Sequence, residues 1–144
     1  MHCIVVRMPW ERISINKCYF VHRRTGRRML RDRVKRWRQD LADEVAVAYH
    51  QLGRPGVQGD IWVRIDQFNP VRNDRDNLCK VIWDGVKLGL GTDDRHFRAD
   101  TGDVWEYRAM ENAHVIITIR WGGNGDAQVG QEGVALAGLP AVPG

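Results

Sequence analysis

Seven apolar residues, Leu30, Val34, Trp37, Leu41, Val45, Ala48 and Leu52, recur at spacings of 4, 3, 4, 4, 3 and 4. With about 3.6 residues per helical turn, that spacing lines up a single apolar stripe, so this segment has to be a long helix lying on something else. Gly53-Arg54-Pro55-Gly56 stops it. What it lies on is set by the flanks. Ile4 to Met8 reads as a strand closed by Pro9, and Asp60 to Phe68 as a strand rich in β-formers, broken by Asn69-Pro70. A second helical spacing runs from Asp76 to Leu88 through Leu78, Val81, Ile82, Trp83 and Val86, with Gly89 and Gly91 as terminators. Trp105–Met110 and His114–Trp121 read as two strands joined by a tight Glu111-Asn112-Ala113 turn. The order β-α-β-α-β-β predicts an α/β (α+β) domain, a mixed four-stranded sheet with helices packed on it. Trp37, Trp62 and Trp83 fall at core-like positions.

At 144 residues the chain is long enough for one core without disulfide or metal staples. That core is expected in residues 1–121. From Gly122 to Gly144 the sequence is rich in glycine and has no aromatic residue, so a flexible tail is expected there. The longest apolar runs are too short for a membrane span, and Ile4-Val5-Val6 is too short for a signal peptide, so the cytoplasm is the expected compartment. Cys3, Cys18 and Cys79 form no Cys-x-x-Cys pair, and the five histidines show no zinc spacing, which argues against a structural zinc site.

Charge narrows the function. Residues 1–40 hold 12 Lys/Arg against 3 Asp/Glu, whereas the rest hold 10 against 15, so the net +4 hides a polarised molecule. Nine cations fall within residues 23–38, against the single acid Asp32. Arg24, Arg27, Arg28, Arg31, Lys35 and Arg38 recur at spacings of 3 or 4 and are expected to share one broad face of a basic helix. A solvated face normally mixes signs for i, i+4 support, and like charges there repel. The run therefore reads as a phosphate-backbone contact, with a plain solvated face as the competing explanation.

The acidic half carries the candidate chemistry. Asp74 and Asp76 stand two apart at the mouth of the second helix, Lys80 lies one turn further, and Asp93-Asp94 follow its end. Carboxylates on one side of an extended entry segment suit a hard divalent cation. Such a cation, with a lysine nearby, is the minimum kit for phosphodiester hydrolysis. The same aspartates also suit a helix N-cap and a turn. Spacing alone leaves both roles open.

The string Asp74-Arg75-Asp76-Asn77-Leu78-Cys79-Lys80, followed by Asp84-Gly85, Gly89 and Asp93-Asp94, resembles the RusA family of Holliday junction resolvases. So does the opening Pro9-Trp10, Ser14, Asn16 and Tyr19, and the likeness covers roughly residues 4–121. The resemblance implies a homodimeric endonuclease of recombination and repair that makes paired symmetric nicks in four-way DNA junctions with Mg²⁺ or Mn²⁺. It implies Asp74, Asp76 and Asp94 as metal ligands, Lys80 as a catalytic or phosphate-contacting cation, and Asn77 and Asp84 as supporting residues. The link before the Asp pair is about one residue shorter than the family's, which leaves Asp93 as the alternative third ligand. A junction-binding protein without catalysis and a broader nuclease of flaps and branched DNA are the rival expectations.

Overall fold

The computed structural model describes residues 1–11, 19–71, 75–99, 104–122 and 133–139; of residues 19, 20, 75–77, 94 and 133 it describes the backbone. The strands are β1 (His2–Pro9), β2 (Tyr19–Val21), β3 (Arg28–Leu30), β4 (Ile61–Phe68), β5 (Phe97–Ala99), β6 (Trp105–Glu106), β7 (His114–Trp121) and β8 (Gly133–Gly138). The helices are α1 (Asp32–Gln51) and α2 (Arg75–Leu90), with 3-10 turns at Asp94–His96 and Met110–Asn112. The architecture is α+β, and among the described residues the mixed sheet has six strands instead of the expected four. Its order is β5-β4-β7-β1-β8, with β6 beside the end of β4, while β2 and β3 form a separate two-stranded ribbon.

Because β7 runs antiparallel to both β1 and β4, those two are parallel to each other. Each is followed by a helix that returns across one face of the sheet. Period two in the strands puts Ile4, Val6 and Met8, Ile61, Val63 and Ile65, and Val115, Ile117 and Ile119 on that face, all buried. The expected stripe of α1 covers them with Val34, Trp37, Leu41, Val45 and Ala48. Trp37 is buried as expected, its indole N–H donating to the Pro9 carbonyl at 2.9 Å. Trp83 packs edge-on against Phe97, ring centroids 5.7 Å apart. Trp62 does not join the core. It follows Ile61 in the pleat, points to the helix-free face and stays 41% exposed.

Four further expectations need correcting. Residues 23–30 are not helical: Tyr19, Phe20 and Val21 pair with Leu30, Met29 and Arg28, and Gly26 at φ +67° turns the ribbon. Gly89 does not end α2 but lies inside it. A Cβ there would stand 2.6 Å from Val45 Cβ and 2.7 Å from the Ala42 carbonyl oxygen, so the glycine is what lets the two helices touch. Trp105–Met110 is not one arm of a hairpin with β7. β6 is two residues long and parallel to the end of β4, and the chain enters a 3-10 turn by Met110. Finally, Gly133–Gly138, inside the expected tail, pairs in parallel with β1. Ala135 there is buried beneath α1, and Glu44 of α1 accepts a hydrogen bond from the Gly138 N–H at 2.9 Å.

Candidate nucleic-acid interface and metal site

The two helices run the same way. Gly85 packs on Leu41 and the Arg38 carbonyl, and four residues later Gly89 packs on Ala42 and Val45. A parallel pair brings both N-termini to one end of the molecule, the end where the parallel strands β1 and β4 finish. In open α/β sheets, that is the edge where ligands bind. Continued at equal rise along both helices, the contacts set Asp76 about level with Arg31 and Lys80 about level with Lys35.

The end of β4, the strand that precedes α2, is held by two amides the sequence reading missed. Gln67 and Asn69 are fully buried at the end of β4. The Asn69 amide N–H donates to Gln67 Oε1 at 3.1 Å, and its Oδ1 accepts from the Val71 N–H at 2.9 Å and the Trp105 indole N–H at 3.2 Å. The backbone there is also bonded, Asn69 N–H to the Glu106 carbonyl and Arg108 N–H to the Asn69 carbonyl. An asparagine bonding the N–H two residues on is an Asx turn. This one turns the chain out of β4 at Val71. In sequence, Asn-Pro gave only a break; the signal for a buried network was the pair of amides at period two.

Asp74 lies outside the described residues, and so do the side chains of Asp76, Asn77 and Asp94. The backbone puts Asp76 in the first turn of α2 and Asp94 in the 3-10 turn beyond its last. From Asp76 to Leu90 the helix rises about 21 Å. Phe97, three residues after Asp94, pairs with Ile61 at the beginning of β4, whereas α2 starts after its end. The two aspartates thus sit at opposite ends of α2. Asp93 is exposed and acts locally, its Oδ1 accepting the Arg95 N–H at 3.2 Å. Lys80 is exposed and Asp84 half-buried. Among the described residues no group of three acidic, histidine or cysteine side chains gathers to hold a metal.

The basic residues divide between two elements. Arg24, Arg27 and Arg28 stand exposed on the β2–β3 ribbon, Arg31 is the N-cap of α1, and Lys35 and half-buried Arg38 follow on the helix. Arg31 has no side-chain cap, but its carbonyl accepts from the N–H groups of Val34 and Lys35 at 3.0 Å. The first two turns of α1 also carry Arg33 and Arg36. Cations at a helix N-terminus oppose the helix dipole.

Among the described residues no helix is long and apolar enough to cross a membrane. No protein-family model matches the sequence, and no curated protein matches it.

Proposed function

We propose that the chain is a structure-selective DNA endonuclease that resolves four-way junctions by paired, symmetric, Mg²⁺-dependent nicks, acting as a homodimer. The observation that supports this reading best is the parallel α1–α2 pair, which sets the entry of α2, with Asp76, beside the cationic entry of α1. Aspartates 74 and 76 are hard oxygen donors, the type Mg²⁺ takes, with Mn²⁺ as a substitute. The metal, when bound, activates water and offsets charge on the phosphate and the leaving oxygen. In this reading Lys80 contacts the scissile phosphate, while Arg31, Lys35 and Arg38 on α1 and Arg24, Arg27 and Arg28 on the ribbon hold flanking phosphates and set the strand's path. Asp94 is the separable member of the set, since α2 stands between it and Asp76, and its substitution is read on its own.

The test is cleavage of a mobile four-way junction with Mg²⁺ titrated in. Wild type cuts in opposed strands. Asp76→Asn loses cleavage and keeps junction affinity within a few-fold, because the phosphate grip lies elsewhere. Asp94→Asn loses cleavage only if Asp94 is a ligand. A junction that is bound but never cut with any divalent metal leaves a binding protein instead of an enzyme. Equal cutting of flaps and bubbles replaces junction selectivity with a broader branched-DNA nuclease.

A further inference from the structure

The β2–β3 ribbon stands apart from the main sheet and has more charge at its tip than a turn needs. Its base is anchored by Leu30, buried in the core, opposite Tyr19. Beyond Val21 and Arg28 the chain closes through hydrogen bonds from His22 N–H to the Arg27 carbonyl at 2.8 Å and from Gly26 N–H to the His22 carbonyl at 2.9 Å. Arg23, Arg24, Thr25, Gly26, Arg27 and Arg28 are all exposed, and Val21 is 65% exposed. The cations come in two pairs. Arg23 and Arg24 follow the outgoing arm; Arg27 and Arg28 lead into the returning one.

Cations on both arms fit two rails of negative charge better than one, and two phosphate rails are what flank a groove of duplex nucleic acid. The major groove of B-form DNA is about 12 Å wide and admits a two-stranded ribbon, whereas its minor groove is about 6 Å wide. The major groove of A-form RNA is deep and too narrow for side chains to read. We infer that the β2–β3 ribbon is an arm that enters the major groove of B-form duplex DNA, with Arg23 and Arg24 facing one phosphate strand and Arg27 and Arg28 the other. The arm thereby separates DNA from RNA, which charge alone does not. This inference rests on the DNA-binding half of the proposed function and not on cleavage.

The experiment measures binding of the full chain by fluorescence anisotropy in EDTA, so catalysis plays no part. Three duplexes of one sequence are compared: plain DNA, DNA whose cytosines are glucosylated 5-hydroxymethylcytosine, which fills the major groove, and double-stranded RNA. Plain DNA is expected to bind at least tenfold tighter than either of the others. Replacing Arg24 and Arg27 together by Gln is expected to erase most of that preference. It should also lower the log–log salt slope by about 1.8, two phosphate contacts at roughly 0.9 each. Gly26 is retained so that the turn still forms, and thermal melting of the variant checks the fold. Equal affinity for the three duplexes overturns the inference, because a protein held by phosphates alone ignores a filled groove. It is also overturned if the folded double variant keeps the wild-type preference and slope, or if wild type binds an acidic protein but no duplex. Loss of junction cleavage with the DNA preference intact counts against the nuclease reading only.

Discussion

Asn69→Ala isolates the buried amide network at the end of β4, the strand that precedes α2. The side chain is fully buried and makes three hydrogen bonds, to Gln67, Val71 and Trp105. Each buried group left without its partner costs about 1–3 kcal/mol. Val71 and Trp105 are partly exposed, so water replaces some of what they lose. Taking the low end for these two and a middle value for the fully buried Gln67 amide, the variant should lose about 3–4 kcal/mol of stability. For a chain of this size that is a fall in Tm of about 10 °C. Urea unfolding measures it, with Gln67→Leu and the double variant completing a cycle. The coupling between the two amides should exceed about 0.5 kcal/mol, the level expected of residues in one hydrogen-bond network. A loss under about 1 kcal/mol, or additive single changes, would refute the claim that this network holds the end of β4. At a temperature well below the variant's Tm, cleavage should fall while DNA affinity in EDTA holds. Those arginines and lysines do not depend on the Asx turn.

Gly89→Ala should destabilise by about 2 kcal/mol in urea unfolding, since Ala's better helix propensity does not offset an overpacked backbone contact. Gly85→Ala should cost less, because its nearest neighbour, at 2.8 Å, is the mobile end of Leu41. An equal or reversed order would refute the close approach at Gly89. For pH, burial lowers the His114 pKa below 6.5, with Arg7 and Arg108 adding to the shift against the opposing hydrogen bond to Asn112. The folded state thus prefers the neutral ring, with Nδ1–H donating to the Asn112 carbonyl and Nε2 accepting from Arg7 at 3.1 Å. That contribution is present in full above pH 6.5 and lost as pH falls below it, because the unfolded chain takes up the proton first. His114→Gln should flatten the stability profile between about pH 5 and 7, and an unchanged slope in denaturant melts would sink the assignment.

The helices were legible because a buried stripe repeats at the helical period, and Val34 through Ala48 lie where that period puts them. The ribbon was not, because arginines at spacings of 3 or 4 imitate a helix face whether or not the backbone is helical. Only three residues on each arm, Tyr-Phe-Val and Arg-Met-Leu, carry the β signal. Strand β8 was hidden for another reason. Its outward Val134 and Leu136 are exposed and its inward residues are alanines, so its pairing with β1, more than a hundred residues away, defines it. Trp62 was misplaced by composition although its parity with Ile61 and Val63 was visible. At the candidate site, the sequence shows Asp74, Asp76 and Lys80 as a pattern. It also put Asp93-Asp94 past the end of α2; what it did not show is the return of Phe97 to the start of β4, which keeps that pair at the far end of the helix.

Helix α1 is charged the wrong way round for a helix selected for stability. Its first five residues carry one acid, Asp32, and three cations, Arg33, Lys35 and Arg36, while Asp40, Asp43 and Glu44 lie further along. Each exposed cation in the first turns costs about 0.3–1 kcal/mol against the dipole. Only the burial of Trp37, Leu41 and Val45 makes such a start affordable. Lys35→Glu tests what that cost is for. It removes a cation from the dipole's positive end and gives Arg31 and Arg38, four residues before and three after, an opposite charge. The gain should be about 0.5–1.5 kcal/mol, or about 2–4 °C in Tm. The same change should weaken duplex DNA binding several-fold at low salt, with the difference shrinking as salt rises. A variant that is no more stable, or more stable with DNA affinity intact, would mean the cationic helix entry is not a phosphate grip maintained at the expense of the fold.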